Sequence, residues 1–241
     1  MNIVVMRLTA RSLLGNRRSW VLVALAALMW IVAGLTRWGS GASPSATAGL
    51  MTNFALGTLI PVMCLLIGTG VIAQEIEDGS IVYLLAKPLP RRVIALSKLA
   101  VGLGAALVFT VASVVIGTMI SGDQDWRISI ALGTSTALAS LVYTAVFFAI
   151  SILSRNPVIV GLIYALLWEG VLAGYIPGVK MVSVRQWALA PAEDLLAAHP
   201  AWNVVSDVGL VAAYVLLAIT FVAAVYAAIQ RLKTLSVRVS E

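Results

Sequence analysis

Charged side chains in the first half of the chain are concentrated in one stretch, residues 74–98. Three acids come first and four bases follow: Glu75, Glu77 and Asp78, then Lys87, Arg91, Arg92 and Lys98. More than twenty residues without any charge lie on each side of the stretch. The chain shows no pattern of a catalytic nucleophile with its base, either as a Ser, His and Asp triad or as a Cys and His pair. The pattern therefore favours docking to another molecule over catalysis.

Two further residue types could do chemistry, but neither predicts a reactive or metal-binding site. Cys64 is the only cysteine and lies in an apolar run, so an intrachain disulfide is impossible and a buried core residue is expected. His199 is the only histidine, and it stands beside Pro200 with no evident ligand partner. We predict no metal site and no catalytic residue.

The composition of the chain is that of a membrane protein. Hydrophobic residues make up 61% of the 241 residues and charged residues 11%, whereas soluble chains have about 25% charged residues. The net charge of +6 is therefore no signal for nucleic acid. A cleaved signal peptide ending near residues 46–48 is an alternative for the N-terminus. The apolar run Ser19–Thr36 is longer than the usual ~7–15 residues of such peptides, which favours a membrane helix.

Six apolar segments approach the ~20 residues that cross a bilayer. They lie at about 19–36, 50–73, 99–120, 128–153, 158–175 and 208–229. Lipid leaves no backbone group unpaired, and barrel strands would be shorter and alternate in polarity. The predicted fold is a single all-α integral membrane domain over residues 1–241, with six transmembrane helices.

The positions of the basic residues predict the orientation. With the N-terminus in the cytoplasm, twelve Lys and Arg residues lie inside and four outside. Both chain ends and residues 74–98 are then cytoplasmic. Residues 1–18 are expected to form an interfacial helix, or a plain basic flank that only sets the orientation.

Three local patterns refine this layout. Asn156 and Pro157 suit the cap and first position of the fifth span after a very short turn. The outer segment 176–207 is too apolar for a free loop and contains three prolines, which favours a re-entrant hairpin or short interfacial helices. Pro61 should bend the second span and release the carbonyl of Gly57, either for gating or only for packing.

Glu169 is the one charged residue within the six apolar segments. An acid at that depth is costly and usually faces protein or water. Gly170 and Gly174 follow as a G-x-x-x-G pair that permits close helix approach. One interpretation is a structural acid, hydrogen-bonded beneath the outer hairpin.

Residues 74–98 divide into local elements. Gly79 can stop one helix, and Ser80 can cap a short helix, Ser80–Ala86, that ends before Pro88. A short helix with an apolar side and charges at both ends suits a groove on another protein. An elbow resting on lipid headgroups is the alternative.

The motif Glu75-x-Glu77-x-Gly79-Ser80-x-x-x-Leu84-Leu85-x-x-Pro88-x-x-Arg91, followed by Lys98, resembles the signature loop of ABC-2-type transporter permeases. In that family the loop also joins the second and third of six spans. The interfacial helix and the re-entrant hairpin before the last span are similar too. The chain departs from the pattern at Ile76, where a basic residue is common, and at Ser97, where glycine often stands.

The resemblance implies the permease subunit of an ABC transporter. Such subunits pair with a second permease, as homodimer or heterodimer, and each binds a cytoplasmic ATPase subunit. The chain contains no phosphate-binding P-loop, so ATP and Mg²⁺ would be bound by the ATPase partner. The implied ATPase-coupling residues are Glu75, Glu77, Gly79, Ser80, Leu84, Leu85, Pro88 and Arg91. Glu169 and Pro61 are the implied candidates for a translocation path.

The expected function is export of a hydrophobic or amphipathic substrate across a bacterial plasma membrane. One alternative is a membrane anchor that transmits ATPase motion to an outer partner without passing substrate. Another is a self-contained secondary transporter or intramembrane enzyme, which the scarcity of intramembrane charges disfavours.

Overall fold

A computed structural model describes residues 3–14, 17–41, 43–72, 91–121, 126–197 and 199–234. These residues form helices and contain no strand, so the all-α prediction is confirmed. The helices are α1 (Ile3–Leu14), α2 (Arg17–Ser40), α3 (Pro44–Gly70), α4 (Arg91–Ser121), α5 (Trp126–Leu153), α6 (Pro157–Leu172), α7 (Pro177–Lys180), α8 (Val184–Leu196) and α9 (Leu210–Thr234). A further turn, Ala173–Tyr175, continues α6, and a 3₁₀ turn forms at Pro200–Trp202.

Five of these helices are long and apolar enough to cross a membrane: α2, α3, α4, α5 and α9. They correspond to five of the six predicted spans and extend beyond the predicted bounds at most ends. The remaining segment, predicted at 158–175, forms α6, which has fewer than 18 residues. Its length is below the ~20 residues that a perpendicular span needs. A sixth crossing therefore stays a prediction.

Helix α5 is the centre of the bundle. It packs against α3, α4, α6, α8 and α9. In its most apolar 18-residue stretch, two thirds of the residues are buried. The largest of its fully buried side chains are Tyr143, Phe147 and Phe148. Small and hydroxyl-bearing residues fill much of the rest of its surface, which lets neighbouring helices approach closely.

Helices α2 and α9 lie at the edge of the bundle. In the most apolar 18-residue stretches of α2 and α9, only 22% and 11% of the residues are buried. Most of their side chains are therefore available to lipid. Trp20 and Trp38, near the two ends of α2, are 76% and 87% exposed. Eighteen residues of helix separate them by about 27 Å, close to the ~30 Å of a hydrocarbon core. Their spacing is typical of aromatic residues at the two membrane interfaces.

The short turn before α6 differs in detail from its prediction. Pro157 stands in the first turn of the helix, as expected, but the side chain of Asn156 makes no capping hydrogen bond. The backbone carbonyl of Asn156 accepts the first hydrogen bond of the helix, from Val160 N–H, and its own N–H donates to Ser154 Oγ at 3.2 Å. The prediction of a side-chain cap was therefore wrong, and the side-chain hydrogen bond of this turn comes from Ser154.

The segment 176–207 between α6 and α9 contains the short helices α7 and α8; its position on the outer side stays a prediction. Helix α8 is packed against α5 and α9, and most of its residues are buried. A re-entrant path for this segment stays a prediction.

Candidate functional site

The predicted ATPase-coupling residues can be compared with the structure only in small part. Glu75, Glu77, Gly79, Ser80, Leu84, Leu85 and Pro88 lie in residues 73–90, outside the described residues. Arg91 is the first residue of α4. The coupling role of this set stays a prediction.

Helices α3 and α6 each contain a π-helical segment, Leu50–Leu59 and Ile163–Leu172. The two segments contact each other. At their meeting point, a Cβ atom built on Gly170 would lie 3.7 Å from the carbonyl oxygen of Gly57 and 3.8 Å from Thr58 Oγ1. These distances are ordinary van der Waals contacts, so the two helices pack closely at this point. Because π segments are rare and often occur at functional sites, this contact is a natural place to look for one.

Pro61 lies two residues after the end of the π segment of α3. The helix continues through it, and the residue is buried. Within the π segment, backbone N–H groups pair with carbonyls five residues back, as Ile60 N–H does with Ala55. Pro61, which lacks an N–H group, therefore stands where the pairing changes from five residues to four. The carbonyl of Gly57, which Pro61 was predicted to release, faces Gly170 of α6.

Gly174, the second glycine of the predicted pair in α6, plays a different part. A Cβ atom built there would have no other atom within 4 Å. Only Gly170 of the G-x-x-x-G pair makes a close interhelical contact within the described part of the chain.

Glu169 projects from the π segment of α6 and is fully buried. Its carboxylate accepts hydrogen bonds from Tyr164 Oη at 3.1 Å and Ser183 Oγ at 2.5 Å. It also accepts from the backbone N–H groups of Val184 at 3.0 Å and Arg185 at 3.5 Å. Tyr164 stands five residues before Glu169, a spacing that places two side chains on one side of a π helix.

Three of these donors belong to the start of α8. Ser183 is the N-cap residue, and its hydroxyl makes no cap bond to the N–H groups of its own helix. The carboxylate of Glu169 takes that place from another helix and lies at the positive end of the α8 dipole. The buried acid thus fastens the outer segment to α6.

Arg185 makes a second attachment between α8 and the bundle. Its Nη2 donates to Asn53 Oδ1 in α3 at 2.8 Å, and the residue is only 8% exposed. A Cβ atom built on Gly57 would lie 2.9 Å from Nη1, so the guanidinium passes through a gap that glycine leaves open. Burial lowers the pKa of Arg185 from its ordinary value, and the charge of Glu169 opposes that change.

Tyr143 of α5 completes the cluster. Its ring stacks on Phe147, with centroids 6.2 Å apart, and Phe147 contacts the ring of Tyr164 edge to face at 5.9 Å. The Tyr143 hydroxyl is buried and has no hydrogen-bond partner among the described residues. Helices α3, α5, α6 and α8 therefore meet around one buried acid and one buried base, with Asn53 at the exposed edge.

Sequence reasoning found Glu169 but missed Arg185 and Asn53. These two residues lie 132 positions apart, so no local spacing could pair them. A weak signal was available: Arg185 is one of two basic residues, with Lys180, in the apolar segment 176–207, and it had no assigned partner.

Neither Cys64 nor His199 forms part of this cluster. Cys64 is buried, with Sγ 3.8 Å from the carbonyl oxygen of Ser140. His199 Nε2 lies 3.1 Å from Arg127 Nη1, a contact that the sequence did not suggest. Within the described ranges, no three His, Cys, Asp or Glu side chains are grouped so that they could hold a metal ion.

Comparison with protein families identifies a family that covers most of the membrane-length helices. The family described as ABC-2 family transporter protein matches residues 16–178, which include Pro61, Glu169 and the charged stretch 74–98. No curated protein matches the chain. The family match covers more than half of the sequence and agrees with the membrane-length helices. The chain therefore belongs to the ABC-2 family of transporter membrane proteins.

Proposed function

We propose that this chain is the permease subunit of an ABC exporter and that a separate cytoplasmic ATPase subunit drives it. The observation that carries this proposal is the family match over residues 16–178, which includes the charged stretch 74–98. The chain itself contains no P-loop, so ATP and Mg²⁺ are bound by the partner. A second permease subunit, identical or related, completes the membrane part of the transporter.

In this proposal α6 and its last turn, Ala173–Tyr175, form the fifth of six spans. The charge bias of twelve basic residues to four places both chain ends in the cytoplasm. Residues 74–98 then face the cytoplasm, and the segment containing α7 and α8 lies on the outer side. The six-span layout is supported by the five membrane-length helices and by the apolar character of α6.

The mechanism is mechanical coupling. ATP closes the two ATPase subunits, and the Ser80–Ala86 segment docked on them moves with them. Its motion changes the relative positions of α3 and α4, the helices on either side.

The α3–α6 contact is our proposed flank of the translocation path, with Pro61 and Glu169 as its candidate residues. Hydrophobic or amphipathic molecules are the substrate class, because most side chains available to them are apolar. Glu169 already accepts four hydrogen bonds. A cationic or polar group of the substrate could replace them only when α8 moves away.

A second candidate function is favoured by the same observation, that the carboxylate of Glu169 already accepts four hydrogen bonds. In a membrane anchor that relays ATPase motion to an outer partner, Glu169 and Arg185 would hold α8 in place and touch no substrate. Transport measurements separate the two functions.

The test begins with affinity purification of the tagged chain from its native host. We expect a Walker-type ATPase to co-purify in stoichiometric amount. The complex in proteoliposomes should then move a lipophilic fluorescent substrate with ATP, but not when the P-loop lysine of the ATPase is replaced. Nucleotide-independent transport by the chain alone would refute the proposal. ATP hydrolysis without transport of any tested substrate would favour the anchor.

A further inference from the structure

A second, smaller core lies at the end of the bundle from which residues 73–90 emerge. It joins the end of α3 to the start of α4, the ends of α5 and α9, and α1. Its fully or nearly fully buried residues include Leu13, Val71, Leu99, Phe148 and Leu232. The helix ends that come before and after residues 73–90 therefore pack together in one junction.

Lys98 lies inside this junction, although lysine is rarely buried. The residue is 1% exposed, and its Nζ donates to the carbonyl oxygen of Val71 at 3.1 Å. Val71 is the C-cap residue of α3. Carbonyls at a helix C-terminus lack intrahelical partners, and a cation there is favoured by the helix dipole. Lys98 of α4 therefore caps the end of α3.

Two glycines bring the same helices into close contact. A Cβ atom on Gly102 of α4 would lie 3.0 Å from Val71 Cγ2. A Cβ atom on Gly68 of α3 would lie 2.9 Å from Phe147 Cβ and 3.1 Å from the carbonyl of Thr144 in α5. Helix α3 is thus held against α4 on one side and against the backbone of α5 on the other.

The buried charge has a cost that packing alone does not explain. Burying an ammonium group is unfavourable unless it is well paired, and an apolar side chain would fill the same space without that cost. Lysine adds a directed hydrogen bond from α4 to the end of α3. Such a bond fixes the end of α3 relative to α4.

We propose that Lys98 is a positioning residue for energy coupling. It joins α3 and α4, so that a displacement of residues 73–90 moves both helices together and thereby moves α5. Without this bond, α3 and α4 would shift relative to each other and α5 would stay in place. This inference rests on the proposed function, because it requires an ATPase partner that moves the segment. It adds a named residue, and a place in the fold, through which the movement reaches the bundle.

The test compares four variants of the permease in complex with its ATPase. Lys98→Met removes the cap and keeps the volume, while Lys98→Arg keeps a donor. Gly102→Ala separates α4 from Val71 without touching Lys98. Gly104→Ala is the matched control, since a Cβ atom there would have nothing within 4 Å.

We expect Lys98→Met and Gly102→Ala to lower the substrate transported per ATP hydrolysed at least fivefold. ATPase binding and the ATP hydrolysis rate should stay within twofold of the wild type. Lys98→Arg should retain at least half of the coupling, and Gly104→Ala all of it. A general loss of fold would lower ATPase binding as well and would not spare Lys98→Arg. Normal coupling in both Lys98→Met and Gly102→Ala would overturn the inference.

Hydrogen exchange of the purified chain alone separates this inference from the proposed function. Amides in residues 91–98 should exchange at least fivefold faster in Lys98→Met than in the wild type, because the junction opens more often. If the wild-type complex shows no ATP-driven transport, the proposed function fails while this measurement still tests the cap. Unchanged exchange in Lys98→Met would overturn the cap itself.

Discussion

Replacement of Glu169 by alanine should release α8 from the bundle. Three donors lie within 3.1 Å of its buried carboxylate: Tyr164 Oη, Ser183 Oγ and Val184 N–H. Each hydrogen bond to a charged group contributes about 1.5–3 kcal/mol, and such contributions are not fully additive. We therefore expect Glu169→Ala to lower the free energy of unfolding by about 3–5 kcal/mol, in the range for breaking a buried charge interaction.

This loss corresponds to a fall in melting temperature on the order of 10 °C, at about 2–4 °C per kcal/mol for a chain of this size. Cys64 provides the assay. It is the only cysteine in the sequence and is fully buried. A fluorogenic maleimide will therefore react only as the protein unfolds, which gives a melting curve in detergent without further labelling.

Two variants make the measurement specific. Glu169→Gln keeps one oxygen for Val184 N–H but turns its amide toward Arg185 N–H, so we expect a smaller loss of about 1–2 kcal/mol. Asp194→Asn changes an exposed acid on the same helix α8 and should stay within about 0.5 kcal/mol of the wild type. If Glu169→Ala melted within about 2 °C of the wild type, α8 would not depend on this carboxylate.

Three further predictions test the neighbouring contacts and the topology. Gly57→Ala places a Cβ atom 2.9 Å from Arg185 Nη1 and should lower the free energy of unfolding by about 1–3 kcal/mol. Its control, Gly104→Ala, should leave that free energy unchanged or raise it by up to about 1 kcal/mol. Equal maleimide melting curves for the two variants would refute this prediction. Leu84→Asp puts a charge on the apolar side of the predicted docking helix and should reduce ATPase co-purification at least tenfold; unchanged recovery would exclude that helix as the docking element. A cysteine replacing Trp38, which is 87% exposed, should react with a membrane-impermeant maleimide added outside intact cells, and labelling only after lysis would reverse the proposed orientation.

The sequence predicted the membrane-length helices because hydropathy depends on composition, which needs no knowledge of tertiary contacts. Residues 158–175 were predicted to cross as well, but α6 is shorter than the five membrane-length helices and leads into a segment with several prolines. The buried state of Glu169 could also be expected, since an acid among apolar residues must find donors. Which donors it finds depends on the path of residues 176–183, and no residue pattern determines that path.

Two charged residues were understood only from the structure. Lys98 was treated as part of a motif and as one of the cytoplasmic bases that set the orientation, whereas it is buried against the end of α3. Arg185 was counted among the outer bases, whereas its side chain reaches Asn53 in α3. In both cases the count of basic residues predicted a side of the membrane for the residue. Whether its side chain is exposed to water depends on tertiary packing, which the count does not include.

The attachment of α8 to Glu169 has a consequence for how the outer segment can change over time. Two of the four donors are main-chain amides, those of Val184 and Arg185. Substitution of either side chain leaves these amides in place, and only proline would delete them. Homologues could therefore vary in the side chains along this segment while these two main-chain hydrogen bonds to the carboxylate are kept.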